Sequence, residues 1–242
     1  MISGLMSTTP LSRLPQFDPR LVPVSGTDVH LPPVEAGALA PDALRRRFLS
    51  PPAWQPEVVK ERRFTDREPA QAAVLIPLVM RGTQTASLTV LLTERTAHLS
   101  THSGQIAFPG GRVDESDADV TAAALREAYE EVGLEYRYVD VLGTLPVYTT
   151  GTAFQVTPVV ALVQPDFTLL PNAFEVADTF EVPLTFLMDP AHHQRHAFEW
   201  EGVRREWFSM PFHETVAGEV RERFIWGATA GMLRNFYRFL SA

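Results

Sequence analysis

Residues 110–134, GGRVDESDADVTAAALREAYEEVGL, decide the fold that we predict for the chain. The second half of this stretch predicts a helix over residues 121–132, because Ala, Leu, Arg and Glu are strong helix formers. Gly133 follows directly and suits the left-handed position that ends many helices. Ala124, Leu125, Ala128 and Val132 give the helix an apolar side that can pack against a core.

Three carboxylates lie on another side of the same helix, because residues three or four apart share a face. They belong to Glu127, Glu130 and Glu131, close to a helix C-terminus that already carries partial negative charge. One interpretation is a solvated acidic face. The other is a site for a hard divalent cation, since Mg²⁺ and Mn²⁺ prefer oxygen ligands. The preceding glycine pair and the neighbouring Arg126 favour the second interpretation.

These residues resemble the Nudix box, Gly-x5-Glu-x7-Arg-Glu-U-x-Glu-Glu-x-Gly-U, in which U is aliphatic. The residues that match its second half are Arg126, Glu127, Glu130, Glu131, Gly133 and Leu134. The first half departs from the pattern, since Asp117 stands at the glutamate position counted from Gly111 and the arginine follows one residue late. Three acids are candidates to pair with that arginine: Asp114, Glu115 and Asp117. This shift, with Asp in place of Glu, is similar to the coenzyme A pyrophosphatase branch of the family.

A second stretch, residues 91–111, resembles the signature that precedes the Nudix box in coenzyme A pyrophosphatases. The resemblance rests on Leu91-Leu92-Thr93, Arg95, Leu99, His102, Gly104-Gln105 and Phe108-Pro109-Gly110-Gly111. Glycines allow a ligand or metal to approach the backbone closely, and an arginine can hold a phosphate through two hydrogen bonds. We therefore expect Arg95, His102 and Gln105 to bind substrate. The alternatives are a surface ion pair for the arginine and a loop position of no special role for the histidine.

The resemblance implies an α/β fold, the Nudix α/β/α sandwich with a mixed sheet between helices. It also implies that Glu127, Glu130, Glu131 and the Gly110 carbonyl bind Mg²⁺ or Mn²⁺. Arg126 would then act in catalysis by holding the glutamates, and Glu127 or Glu130 would be the base. Glu175, in a later loop, is a further candidate for contact with the metal or the substrate, or for the base.

The implied reaction is metal-dependent hydrolysis of coenzyme A or its thioesters to 3′,5′-ADP and 4′-phosphopantetheine or its acyl form. A second possibility is a Nudix hydrolase for ADP-ribose, dinucleotides or nucleoside triphosphates. A third, from another class, is a non-catalytic Nudix-like nucleotide sensor. For the contact with the 3′-phosphate of coenzyme A, Arg95 is the first choice, followed by Arg62 and Arg63.

The chain has 242 residues, enough for one domain with a substantial core. We expect a proline-rich N-terminal arm over residues 1–41 and a Nudix hydrolase domain over residues 42–242. The arm is expected to wrap the domain or a partner subunit, so a homodimer is one expectation.

Composition limits the classes of partner and the cellular compartment that we expect. A net charge of −8 disfavours nonspecific binding to nucleic acid, and no apolar run approaches the ~20 residues of a membrane span. The absence of cysteine excludes disulfides and thiolate metal sites. We expect a cytoplasmic protein that acts on a small molecule and binds neither nucleic acid nor membrane.

The other elements are predicted from local patterns. Strands are expected at residues 72–80, 88–93, 139–147 and 154–163, with a hairpin of 197–200 and 206–212 around Glu201-Gly202. Helices are expected at 42–49, 184–188 and 224–240, and a pocket-lining loop at 148–152. Pro77 predicts an edge strand or a bulge, because proline cannot donate to a sheet ladder. His192 and His196 have the spacing of helical metal ligands, but the segment predicts a turn into a strand rather than a metal site.

Overall fold

The computed structural model describes residues 17–63, 65, 67–82, 87–96, 104–200 and 203–242. The first elements are β1 (Val24–Thr27), α1 (Pro41–Leu49), β2 (Ala70–Arg81), β3 (Ser87–Arg95), β4 (Ile106–Ala107), β5 (Gly110–Arg112) and α2 (Val120–Val132). They are followed by β6 (Val139–Thr144), β7 (Tyr148–Thr149), β8 (Phe154–Val163), β9 (Val176–Pro183), α3 (Leu184–Leu187), β10 (Gln194–Trp200), β11 (Val203–Val216), β12 (Glu219–Trp226) and α4 (Gly227–Leu240). None of the helices within these ranges has the length and apolar character needed to cross a membrane.

A mixed sheet forms the centre of the fold. Its main path runs in the order β4-β3-β2-β8-β6, while β5 pairs with β2, β7 with β8 and β9 with β3. Strand β2 runs parallel to β8, and its pairs with β3 and β5 are antiparallel. Both faces of β2 are buried, as its nearly continuous apolar sequence predicts.

Helices cover this sheet on its two faces. Helix α2 packs the side chains of Ala124, Ala128 and Val132 against one face, in a cluster that includes Ala73 and Leu75 of β2. The opposite face of β2 packs into a larger cluster with residues of α4. The α/β/α arrangement implied by the sequence resemblance is therefore confirmed.

A second sheet has the strand order β1-β10-β11-β12 and is antiparallel throughout. Its central pair, β10 with β11, confirms the predicted hairpin strands, and Glu201-Gly202 lies outside the described residues. Strand β1 comes from the region predicted to be a proline-rich arm. The described part of that arm is also tied to the fold by the Tyr237 hydroxyl, which donates to the Pro32 carbonyl at 2.9 Å.

The expectation that Pro77 marks an edge or a bulge is wrong, since β2 lies in the middle of the sheet. On one side β2 pairs with β5 through residues 72–74 and with β3 through residues 78–81. Pro77 lies between these two partners, at a position where the missing N–H interrupts neither ladder.

Other predicted segments also differ from the structure. The closing helix begins at Gly227 rather than at residue 224, because residues 224–226 complete β12, and Gly227 has a φ of 63°. The strand predicted over 139–147 ends at Thr144. The segment 148–152 is not wholly a loop, since Tyr148 and Thr149 pair with Val156 and Gln155 of β8.

Candidate functional site

Helix α2 has well-defined ends that fix the position of its acidic residues. At its start the Asp119 carboxylate accepts a hydrogen bond from the Ala122 N–H at 2.8 Å. At its end Gly133 has a φ of 72°, and its N–H donates to the Tyr129 carbonyl at 2.9 Å. The glycine also leaves room for Leu170, since a Cβ at Gly133 would lie 2.9 Å from the Leu170 Cβ.

Glu131 is the acid of α2 that the fold buries, with only 4% of the residue exposed. Its Oε2 accepts a hydrogen bond from the Gly110 N–H at 3.2 Å, and its Oε1 lies 3.6 Å from Nη1 of Arg95. Burial raises the pKa of the Glu131 carboxyl to about 7, and the neighbouring Glu175 and Glu127 carboxylates add to this effect. Glu131 is therefore not part of a solvated face.

Glu127 lies against the backbone of β5. A Cβ added to Gly111 would fall 2.5 Å from the carboxylate oxygens of Glu127, so only glycine allows this approach. Burial raises the pKa of the Glu127 carboxyl, with further contributions from Glu130 and Glu175. The glycine pair and the acidic helix thus meet at one place.

Arg126 joins two of the acids of α2. Its Nη1 donates to Oε1 of Glu127 and to Oε2 of Glu130, each at 3.0 Å. The Glu130 side chain is 56% exposed, whereas the Glu127 side chain is 17% exposed. The arginine therefore holds one half-buried and one exposed carboxylate through charge-assisted hydrogen bonds.

Asp117 is the acid that pairs with Arg126 in the loop before α2. Two hydrogen bonds of 2.9 Å join the guanidinium to its two carboxylate oxygens, whereas Asp114 lies 3.7 Å from the arginine. Hydrogen bonding to Arg126 lowers the pKa of the Asp117 carboxyl to about 2. The structure thus selects Asp117 among the three candidates. Counted back from Arg126, this residue is one position away from the glutamate of the family pattern.

Glu175 belongs to a loop that packs over the C-terminus of α2. The Asn172 N–H donates to the Glu131 carbonyl at 2.8 Å, and the Thr96 N–H donates to the Glu175 carbonyl at 3.0 Å. The Glu175 carboxylate raises the pKa of both Glu127 and Glu131, so its charge acts on the acids of α2.

The chemistry of these donors suits a hard cation. Carboxylate oxygens are the ligands that Mg²⁺ and Mn²⁺ prefer. Burial, and to a smaller extent neighbouring acids, raises the pKa of Glu127 and Glu131, and a bound cation would offset both effects. As they stand, no three His, Asp or Glu side chains within the described ranges form a group that could hold a metal ion. Two of the three glutamates are instead hydrogen-bonded to Arg126.

The structure describes two of the three substrate-binding residues predicted from the second signature. Arg95 lies beside Glu131, and its N–H donates to the Gln105 carbonyl at 3.0 Å. Gln105 is half-buried at the start of the segment that leads into β4. His102 lies outside the described residues.

The three histidines of residues 192–196 have separate surroundings. His193 lies 2.8 Å from the Leu187 carbonyl, while His196 contacts the Val22 carbonyl at 3.0 Å and Ser209 at 2.8 Å. His192 ends a short 3-10 turn, and β10 begins at Gln194, which confirms the predicted turn into a strand.

Two residues at the site were not singled out from the sequence. Thr96 donates through its hydroxyl to the Phe174 carbonyl at 2.9 Å, and the Asn172 side chain accepts from the Phe174 N–H at 3.1 Å. The available signal was the Pro171-Asn172 pair, since asparagine after proline favours a turn. These contacts hold the loop that carries Glu175.

Comparison with known proteins identifies similar sequences. A sequence model described as the NUDIX domain matches residues 69–211. The uncharacterised Nudix hydrolase NudL of Citrobacter koseri is 44% identical over 166 residues, covering 68% of this chain and 80% of that protein. NudL of Shigella flexneri serotype 5b is 42% identical over 174 residues, covering 70% and 84%. The crystal structure of a Nudix hydrolase from M. smegmatis, RenU, is 29% identical, covers 52% of this chain and 77% of its own, and has a TM-score of 0.40.

Proposed function

The chain belongs to the Nudix family, and from this premise we propose that it hydrolyses the pyrophosphate bond of coenzyme A or its thioesters with the help of Mg²⁺ or Mn²⁺. The products would be 3′,5′-ADP and 4′-phosphopantetheine or its acyl form. The catalytic and metal-binding residues would be the arginine and the glutamates of α2 together with Gly110. The substrate would be bound by Arg95, His102 and Gln105, with Glu175 as a further candidate.

One observation carries this proposal. Arg95 and Gly110 belong to the stretch that resembles the coenzyme A pyrophosphatase signature, and both contact the carboxylate of Glu131. Glu131 belongs to the acidic helix. The two stretches of sequence that suggested the substrate and the chemistry are thus in contact around one buried carboxylate.

Glu127, Glu130, Glu131 and the Gly110 carbonyl would hold the metal, which when bound neutralises phosphate oxygens and activates water. The chain's own contribution is to hold the acids in place. Arg126 positions Glu127 and Glu130 through Nη1, while Asp117 holds the opposite edge of the same guanidinium. Arg126 is therefore a positioning residue rather than a contact for the substrate.

The reaction also needs a base that takes a proton from the attacking water. We assign this role to Glu127 or Glu130, because both carboxylates lie on the helix face that carries Glu131. Glu175 is the remaining candidate, since its charge acts on the same acids.

The direct test is a substrate panel with Mn²⁺ or Mg²⁺, with the products separated by chromatography. The panel contains coenzyme A, dephospho-coenzyme A, ADP-ribose, NADH and dATP. We expect coenzyme A to be cleaved fastest and to yield 3′,5′-ADP. Preferential cleavage of ADP-ribose or NADH would retain Nudix chemistry and refute the coenzyme A assignment. No turnover of any compound would refute the proposed hydrolysis and would favour a nucleotide sensor.

A further inference from the structure

Asn172 joins the end of helix α2 to the loop that carries Glu175. Its N–H donates to the Glu131 carbonyl at 2.8 Å, and two residues earlier the Leu170 N–H donates to the Val132 carbonyl at 2.9 Å. Both carbonyls lie in the last turn of α2, where a helix has no partner of its own for them. The loop is therefore attached to the helix at the same residue whose carboxylate is buried in the site.

The residues after Asn172 form a tight turn around it. The Asn172 carbonyl accepts hydrogen bonds from the N–H groups of Glu175 at 2.9 Å and of Val176 at 2.8 Å. Its side-chain oxygen accepts from the Phe174 N–H at 3.1 Å, as asparagine does in many turns. On the other side of the loop, the Glu175 carbonyl accepts from the Thr96 N–H at 3.0 Å. Glu175 is thus held between helix α2 and the end of strand β3.

The Asn172 side chain also contacts the carboxylate of Glu175. Its Nδ2 donates to Oε1 of Glu175 at 3.4 Å. Among the described residues, no arginine, lysine or histidine forms an ion pair with this carboxylate, whereas the Glu131 carboxylate has Arg95 beside it. An amide donor restrains a carboxylate oxygen without neutralising its charge, because the amide carries no charge of its own.

The charge of Glu175 lies near the acids of α2. It raises the pKa of both the Glu127 and the Glu131 carboxyl groups, since like charges at short range disfavour ionisation. The same repulsion acts on Glu175 and favours conformations in which its side chain turns away from the helix. Asn172 opposes this movement, because its own turn is fixed by the backbone of Glu131.

We propose that Asn172 is a positioning residue that holds the carboxylate of Glu175 beside Glu127 and Glu131 for the proposed hydrolysis. The inference rests on the proposed function and deepens it, since it assigns Glu175 to the working site as the fourth acid. With a neutral donor as its partner, Glu175 keeps the negative charge that contact with a cation, or removal of a proton from water, requires.

A double-mutant cycle tests this role, because two residues that act through one contact have effects that do not add. Asn172→Asp keeps the oxygen that accepts from Phe174 and replaces the amide donor by an oxygen that repels Glu175. We expect it to lower kcat for coenzyme A roughly 10- to 100-fold, as loss of a supporting contact does, with a smaller change in KM. Glu175→Gln should lower kcat at least as much.

The double variant Asn172→Asp/Glu175→Gln should be as active as Glu175→Gln alone, since no carboxylate is left for residue 172 to position. Asp189→Asn is the matched control and should behave as wild type. It exchanges the same two side chains in another turn, where Asp189 accepts from the Ala191 N–H at 2.9 Å. If Asn172→Asp lowered the activity of Glu175→Gln by the same factor as that of the wild type, or if either single variant kept the wild-type kcat, the inference would be overturned.

Melting temperatures in EDTA detect the contact without substrate or metal. Asn172→Asp should lower the melting temperature by roughly 2 to 4 °C, because two carboxylates then face each other. The double variant should recover most of this loss, since the new glutamine can donate to the new aspartate. Changes that simply add would refute the contact. If the melting temperatures were coupled but the wild type cleaved no compound of the panel, the proposed hydrolysis and the catalytic role would fail, whereas the contact would stand.

Discussion

Arg126 and Asp117 are joined by two hydrogen bonds of 2.9 Å, one from Nε to Oδ1 and one from Nη2 to Oδ2. This two-pronged contact fixes the plane of the guanidinium, so that its Nη1 is directed to Glu127 and Glu130. The acids of α2 therefore depend on a residue outside the helix.

The variant Asp117→Asn should lower activity while the fold is retained. The amide removes the charge and can accept only one of the two hydrogen bonds, so Arg126 loses its fixed orientation. Loss of such a supporting contact costs roughly 10- to 100-fold in activity. Asp114→Asn is the matched control, because Asp114 lies 3.7 Å from the arginine. Steady-state kinetics in which both variants lose the same activity would contradict this role.

Glu131→Gln should abolish most activity without a loss of stability. The substitution removes a proposed metal ligand, so we expect a fall in kcat beyond the roughly 10- to 100-fold of a supporting contact. Glutamine keeps the size of the side chain and removes a carboxyl group whose ionisation burial disfavours, so in EDTA the melting temperature should stay close to that of the wild type. Turnover close to wild type would remove Glu131 from the metal site.

Addition of Mn²⁺ should raise the melting temperature of the wild type, because a ligand that binds only the folded state stabilises it. The increase should be much smaller in Glu131→Gln. Glu135→Gln is the control, since Glu135 pairs with Arg137 outside the site. If Mn²⁺ raised the melting temperatures of all three proteins equally, the ion would bind outside the proposed site.

Gly111→Ala should displace the Glu127 carboxylate. The new methyl group would lie 2.5 Å from the carboxylate oxygens, too close for van der Waals contact. We expect activity to fall at least about tenfold, with the fold retained, because small displacements in a catalytic site are costly. Gly37→Ala is the control, since a Cβ there meets nothing within 4 Å. Equal activity of both variants would argue against this contact.

His193 should make folding stability depend on pH. Burial lowers the pKa of its imidazole to about 4, and the ring lies 3.1 Å from Nη1 of Arg234. The neutral ring is favoured in the folded state, so its stabilising contribution is complete above the unfolded pKa and is lost as pH falls from about 6.5 towards 4.

Urea unfolding near pH 7 and near pH 5 measures this effect. The wild type should lose about 2 kcal/mol more than His193→Gln between these two conditions, since glutamine does not titrate there. The comparison between the two proteins cancels the contribution of the carboxyl groups. If both proteins lost the same stability, the pKa of His193 would not be lowered in the folded state.

The central helix and strand could be predicted because each is specified by its own residues. Helix α2 has strong helix formers and a glycine at its end, and β2 has a long apolar run. Strand β12 was missed because the charged side chains of its EVRERFIW sequence hide its burial. The Arg223 side chain is only 3% exposed, since it pairs with Glu94, Asp178 and Glu214, which come from other parts of the chain.

The sequence predicted which residues form the site but not how they contact one another. Periodicity placed Glu127, Glu130 and Glu131 on one face and could not show which one is buried. Glu131 is the buried one, and its carboxylate contacts Gly110 and Arg95, which come from other parts of the chain. The pairing of Arg126 with Asp117 likewise depends on how the preceding loop bends, which residue counting does not reveal.

The most direct test of the central claim is phosphorus NMR of coenzyme A during incubation with the protein and Mg²⁺. We predict that the two diphosphate resonances disappear together and are replaced by two phosphate monoester resonances, while the 3′-phosphate persists. The same sample with Glu131→Gln should remain unchanged. A diphosphate that stays intact while the wild type hydrolyses the 3′-phosphate, or does nothing, would contradict the proposed reaction.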